Sequence, residues 1–155
     1  METRALAARL AAKHGTRDPF CIAENMGFII VFAPLVDMRG FQQRAKRRNI
    51  IYINEALDEH QQRLVCAHEL GHHLMHRGMN RIFMDHSTQI VTQKFENEAH
   101  LFSLELLFPD EALLDFVSLP ISRAASFMGV STELAARRME TIDHNLFSKS
   151  DYGEL

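Results

Sequence analysis

The chain has 155 residues, 46% of them apolar and 24% charged, with a formal net charge of −3. Those values suit one folded domain with an ordinary core and give no broad electrostatic footprint for nucleic acid or an anionic membrane. Two cysteines, Cys21 and Cys66, form no CxxC pair and exclude a disulfide framework or a zinc knuckle. With no apolar stretch long enough for a membrane span and no signal-peptide core at residues 1–13, the expected setting is cytoplasmic.

The elements read in chain order as an α+β protein. Alanine and leucine at helical spacing predict a first helix over residues 3–14, stopped by Gly15. Asp18-Pro19 opens a short second helix through residue 26, and Gly27 ends it. Strands are expected over 28–32, 41–44 and 49–54, with a turn at 37–40, as a small antiparallel meander. A long helix follows over 58–77, with Leu64, Val65, Ala67, Leu70 and Leu74 as its buried stripe and Gly78 as its stop. Residues 79–90 read as a loop, 91–108 as a second long helix ended by Pro109, and 110–117 as a short helix. Two more short helices are expected at 122–128 and 131–142. This organisation is one domain, 1–145, with a helical C-terminal subregion, 110–145, and a loose tail, 146–155.

Histidine is the unusual feature: nine in the chain, with His68, His72, His73 and His76 close together. His68-Glu69-Leu70-Gly71-His72 is an HExxH motif inside the long helix. Residues four apart on a helix differ by only about 40° in direction and about 6 Å in rise, so both imidazoles reach one zinc ion. Glu69 is turned by about 100° from His68 and lies beside the metal, where a general base takes a proton from water. His73 faces away from that pair and reads as a surface or partly packed side chain, while His76, one turn beyond His72, lines the same face. Cys66 points to the opposite side, into the core.

A catalytic zinc site needs a third protein ligand from another element and keeps the fourth position for water. Candidates are Glu96, Glu98, His100, His86 and His76. On the helix 91–108, Glu96, His100, Ser103 and Leu107 form one stripe, next to Phe95, Ala99, Phe102 and Leu106. That favours Glu96 as ligand, with His100 hydrogen-bonding it or a ligand histidine. Glu98 reads as a solvated carboxylate and His86 as the main competitor.

The run Val65-Cys66-Ala67-His68-Glu69-Leu70-Gly71-His72-His73-Leu74-Met75-His76 resembles the signature helix of the ImmA/IrrE zinc metallo-endopeptidases. Residues 96–109, from Glu96 to Pro109, resemble that family's second block, and residues 15–20 and 50–54 are similar to its N-terminal half. The resemblance implies a gluzincin-like core: a short sheet packed on the HExxH helix, with a helical C-terminal part. It implies one zinc per chain on His68, His72 and Glu96, with Glu69 catalytic. His100 stands where the family usually has Asn or Asp, and Ser103 where it has alanine. The implied substrate is a helix-turn-helix repressor of the XRE-like kind, whose cleavage derepresses its genes in a phage, mobile element or stress locus.

Two rivals remain. Residues 121–142 have a helix-turn-helix cadence with Arg137 and Arg138 on the second helix, which suits a DNA-binding regulator. Against it, Ala124, Ala125, Phe127, Met128, Leu134 and Met139 suit plain packing. The other rival is a zinc-binding interaction module without turnover, against which Glu69 speaks, because a closed structural site needs no adjacent base. Tyr52, His76, His100 and Tyr152 are all open as stabilisers of the oxyanion, and oligomeric state is not legible.

Overall fold

The computed structural model describes residues 2–76 and 86–146, with the side chains of 86–91 and 144 outside that set. It divides into two compact units, residues 1–107 and 108–155.

The first unit begins with α1 (Thr3–His14), which ends at Gly15 in the left-handed conformation, φ +66°. Glycine adopts that conformation without a Cβ penalty, which is why the helix stops there. In α2 (Pro19–Asn25) the Asp18 carboxylate accepts from Phe20 N, and Pro19 occupies the first turn. Strands β1 (Ile29–Ala33), β2 (Gly40–Ala45) and β3 (Arg48–Asn54) form one sheet in the order β1-β3-β2. The HExxH helix is α3 (Glu59–Met75), capped by Asp58, whose carboxylate accepts from Gln61 N at 2.8 Å. Helix α4 (His86–Leu107) packs against it.

The α+β class is as expected, but the sheet is not a simple meander. β2 and β3 are antiparallel, while β1 runs parallel to β3, with Ile29 opposite Ile50 and Ala33 opposite Asn54. β3 takes the centre, where Ile51 and Ile53 are fully buried and both edges are paired. The chain reaches the far edge through residues 34–39, held by Asn54, which donates from Nδ2 to Leu35 O (2.7 Å) and Met38 O (3.0 Å). The β2–β3 turn is Lys46-Arg47, both at positive φ. Side-chain-bearing residues are unusual there, so the hairpin lacks the Asn-Gly signal that would have announced it.

The core of this unit joins Ala7 and Leu10 of α1, Ile22 of α2, Ile51 and Ile53 of β3, and Val65, Cys66 and Leu70 of α3 to Phe102 and Leu106 of α4. Two close approaches set the geometry. A Cβ on Gly40 would meet Val65 Cγ1 at 2.5 Å, so β2 lies directly on α3. A Cβ on Gly71 would meet Phe102 Cδ1 at 2.9 Å, so α4 touches α3 at the motif itself. Arg17 donates to Glu105 O and Leu106 O at the end of α4, satisfying carbonyls that the helix leaves open.

Helix α4 starts at His86, five residues before the expected 91. The β-branched run Ile90-Val91-Thr92 hides a helix from a propensity reading.

The second unit holds α5 (Asp110–Leu113), a 3-10 turn at Leu114–Phe116, α6 (Ile121–Met128), α7 (Thr132–Glu140) and a 3-10 turn at His144–Leu146. Ala124, Ala125 and Met128 of α6 and Ala135 of α7 are buried, as the packing reading of this segment required, whereas Phe127 is 46% exposed. Arg138 is buried. It donates to Phe108 O (2.9 Å), Asp110 Oδ1 (2.7 Å) and Thr141 Oγ1 (2.9 Å). Among the described residues, no helix is long and apolar enough to cross a membrane.

Candidate metal centre

His68 and His72 lie one turn apart on α3, and Glu96 faces them from α4. Glu96 Oε2 is 3.0 Å from His68 Nε2, Glu96 Oε1 is 2.8 Å from His72 Nε2, and the two Nε2 atoms are 3.1 Å apart. Three donors of a tetrahedral zinc at about 2.0–2.1 Å stand about 3.3 Å from one another. The triad is therefore already close to the spacing one such cation imposes. The donor set fits as well: two imidazoles and one carboxylate is a known catalytic-zinc combination. Two ring nitrogens and a carboxylate converge on one point, an arrangement that suits a cation. The two histidines hold the Glu96 carboxyl far below the usual carboxylate range, the His68 contact contributing most. An anionic Glu96 is the form a metal needs.

A second grouping, His68, Glu96 and His100, has donor atoms within 4.8 Å of one another. His100 meets His68 through its ring, with centroids 4.2 Å apart. Burial, followed by the neighbouring His68, lowers its pKa to about 4, so it is a neutral imidazole at neutral pH.

Glu69 is buried beside the triad, 4% exposed. Gln42 of β2 donates from Nε2 to both Glu69 Oε2 and Glu69 O, each at 2.9 Å. Sequence reasoning missed Gln42. No spacing rule links it to the motif, and only the packing of β2 on α3 brings it there.

One further expectation needs correction. Glu98 is not a solvated carboxylate. Its side chain is 26% exposed, and its Oε2 lies 3.1 Å from His76 Nε2. His76 lies on the face of His72, as expected, but it is buried: its side chain is 2% exposed and its Nδ1 lies 2.9 Å from His72 Nδ1. Burial outweighs the Glu98 contact and lowers the pKa of His76. His73 packs edge-on against Phe28, Cys66 is fully buried in the core, and Tyr52 stacks on Phe41. His86 opens α4, but its side chain lies outside the described residues, as does Tyr152.

The HExxH helix, the carboxylate from the next helix and the small sheet packed on α3 define a zincin-like metallopeptidase. Residues 23–140 match the peptidase family described as the IrrE N-terminal-like domain, and the chain belongs to that family. One relative, from Bacillus phage phi105, is named "Uncharacterized immunity region protein 2" and is 33% identical over 135 residues, 85% of each chain. Another, from Bacillus subtilis (strain 168), is named "Metallopeptidase ImmA" and is 34% identical over 102 residues, covering 64% of this chain and 59% of that protein.

Proposed function

We propose that this protein is a zinc-dependent endopeptidase with one zinc held by His68, His72 and Glu96, and with Glu69 as its general base. The observation that carries the reading is the convergence of the three donors at 2.8–3.1 Å beside a buried Glu69. When bound, zinc supplies Lewis acidity at the peptide carbonyl and brings the pKa of water near 7. The remaining work falls to the chain. Glu69 accepts a proton from the attacking water and returns it to the leaving amine. Gln42 holds one oxygen of that carboxylate, leaving the other to take the proton. The Nε2 atoms of His68 and His72 must be unprotonated, and Glu96 adds the negative charge that lets the site retain a divalent ion.

The substrate class we assign is a helix-turn-helix repressor of the XRE-like kind, cut to derepress its genes. The family membership and the name of the phage relative, an immunity-region protein, support this assignment. The DNA-binding alternative is weakened by Arg138, whose guanidinium is buried and bonded within its own unit. It would leave Arg137, paired with Glu133 at 3.4 Å, to carry the basic face. The test is incubation of the zinc-loaded protein with the repressor encoded at its own locus, read by mass spectrometry. New termini within the repressor, absent with His68→Ala, are expected. An intact repressor with active controls would contradict the assignment.

A further inference from the structure

The metal triad accounts for the Nε2 atoms of its two histidines and leaves their Nδ1 atoms to be explained. The two differ. His68 Nδ1 is buried with no hydrogen-bond partner among the described residues. His72 Nδ1 is 2.9 Å from His76 Nδ1, and His76 Nε2 is in turn 3.1 Å from Glu98 Oε2. Three side chains from two helices thus run in line from a surface-side carboxylate to a metal-facing ring. The chain's second end is equally defined, since His72 Nε2 faces Glu96 Oε1 at 2.8 Å.

We infer that His76 and Glu98 are positioning residues that lock His72 in the tautomer able to bind the metal. The inference rests on the zinc site proposed above. A neutral imidazole has one N–H and one lone pair. Glu98, an acceptor only, requires the His76 proton on Nε2. His76 Nδ1 is then an acceptor and requires the His72 proton on Nδ1. His72 Nε2 is left with its lone pair directed at the metal position. With a cation satisfying His72 Nε2 and Glu96, any other assignment of neutral rings sets two lone pairs or two protons against each other between His72, His76 and Glu98. Metal-bound histidines ordinarily donate their second nitrogen to a carboxylate or carbonyl. Here a second histidine stands between them and extends the reach of the carboxylate across the α3–α4 interface. Phe95, whose ring lies 4.3 Å from that of His76, packs the intermediate in place. His68 has no such support among the described residues, so the two ligands of the HExxH pair are held unequally.

The experiment uses the full chain and zinc itself. Zinc affinity is measured by competition with a chromophoric chelator for wild type, His76→Phe, Glu98→Gln and His72→Ala. Histidine ring nitrogens of the zinc-loaded wild type are assigned by long-range ¹⁵N–¹H NMR. The expected result is an Nδ1–H tautomer at His72 with coupling across to His76 Nδ1. His76→Phe keeps the ring packing but removes the acceptor, and should weaken zinc binding by about 10–100-fold. Glu98→Gln keeps an acceptor oxygen without the charge and should weaken it less. An Nε2–H tautomer at His72 would overturn the relay, even if His76→Phe failed to fold. So would wild-type affinity in both relay variants while His72→Ala loses zinc, which leaves the zinc site standing. Retention of zinc by His72→Ala would overturn the site and the relay together.

Discussion

The two units bury polar side chains to opposite ends. In residues 108–155 the buried Arg138 meets the Asp110 carboxylate, the Phe108 carbonyl and the Thr141 hydroxyl, and Asp110 Oδ2 accepts from Asp143 N. Opposite charges meet there, and the cluster pins α5 to α7. In residues 1–107 the buried groups do not close. The Nε2 atoms of His68 and His72 and the Glu96 carboxylate turn towards a common point, and Glu69 stands beside them. The lesson is that burial of charge alone does not mark a reactive site. Convergence of potential ligand atoms from two helices, beside a buried carboxylate, does.

That comparison can be broken at either end. The largest effect is expected at the open cluster: Glu96→Ala should abolish stoichiometric zinc in metal analysis of the purified protein. If zinc stays and His86→Ala loses it instead, the third ligand is misassigned. At the closed cluster, Asp110→Ala leaves Arg138 as an uncompensated buried charge, which typically costs about 3–5 kcal/mol. Amide exchange in residues 108–146 should speed up accordingly, whereas replacing both partners with apolar residues of similar volume should restore much of the loss. Gly71→Ala should cost about 1–3 kcal/mol through overpacking against Phe102 and should also loosen zinc binding. A thermal melt together with a chelator titration measures both. The smallest effect concerns thiols. Burial pushes the Cys66 thiol well up, so a thiol reagent on the native protein should label the exposed Cys21 and spare Cys66.

Much of this arrangement was legible in the sequence because it depends on local spacing. The helix period placed His68, His72 and Glu69, and the Glu96 stripe on α4 named the residue that faces them. Gly15 and Asp18-Pro19 announced helix ends by their chemistry. What was not legible depends on contacts between elements. Gln42 reaches Glu69 only because Gly40 lets β2 lie on α3. Glu98 reaches His76 only because Gly71 lets α4 approach. The parallel pairing of β1 with β3 follows from β3 taking the centre of the sheet, a choice made by competition among strands. The antiparallel β2–β3 pairing was expected, although its Lys46-Arg47 turn carries no turn signal.

The account's central claim is that Glu69 moves protons and does not bind the metal. The most direct measurement is a paired one on Glu69→Gln: zinc stoichiometry by metal analysis, and cleavage of the repressor encoded at the same locus. General acid–base catalysis is typically worth about 10²–10⁴-fold. The account predicts one zinc per chain, a wild-type melting temperature within a few degrees, and cleavage reduced by about that factor. A glutamine variant that cuts the repressor as fast as wild type, or one that has lost its zinc, would contradict it.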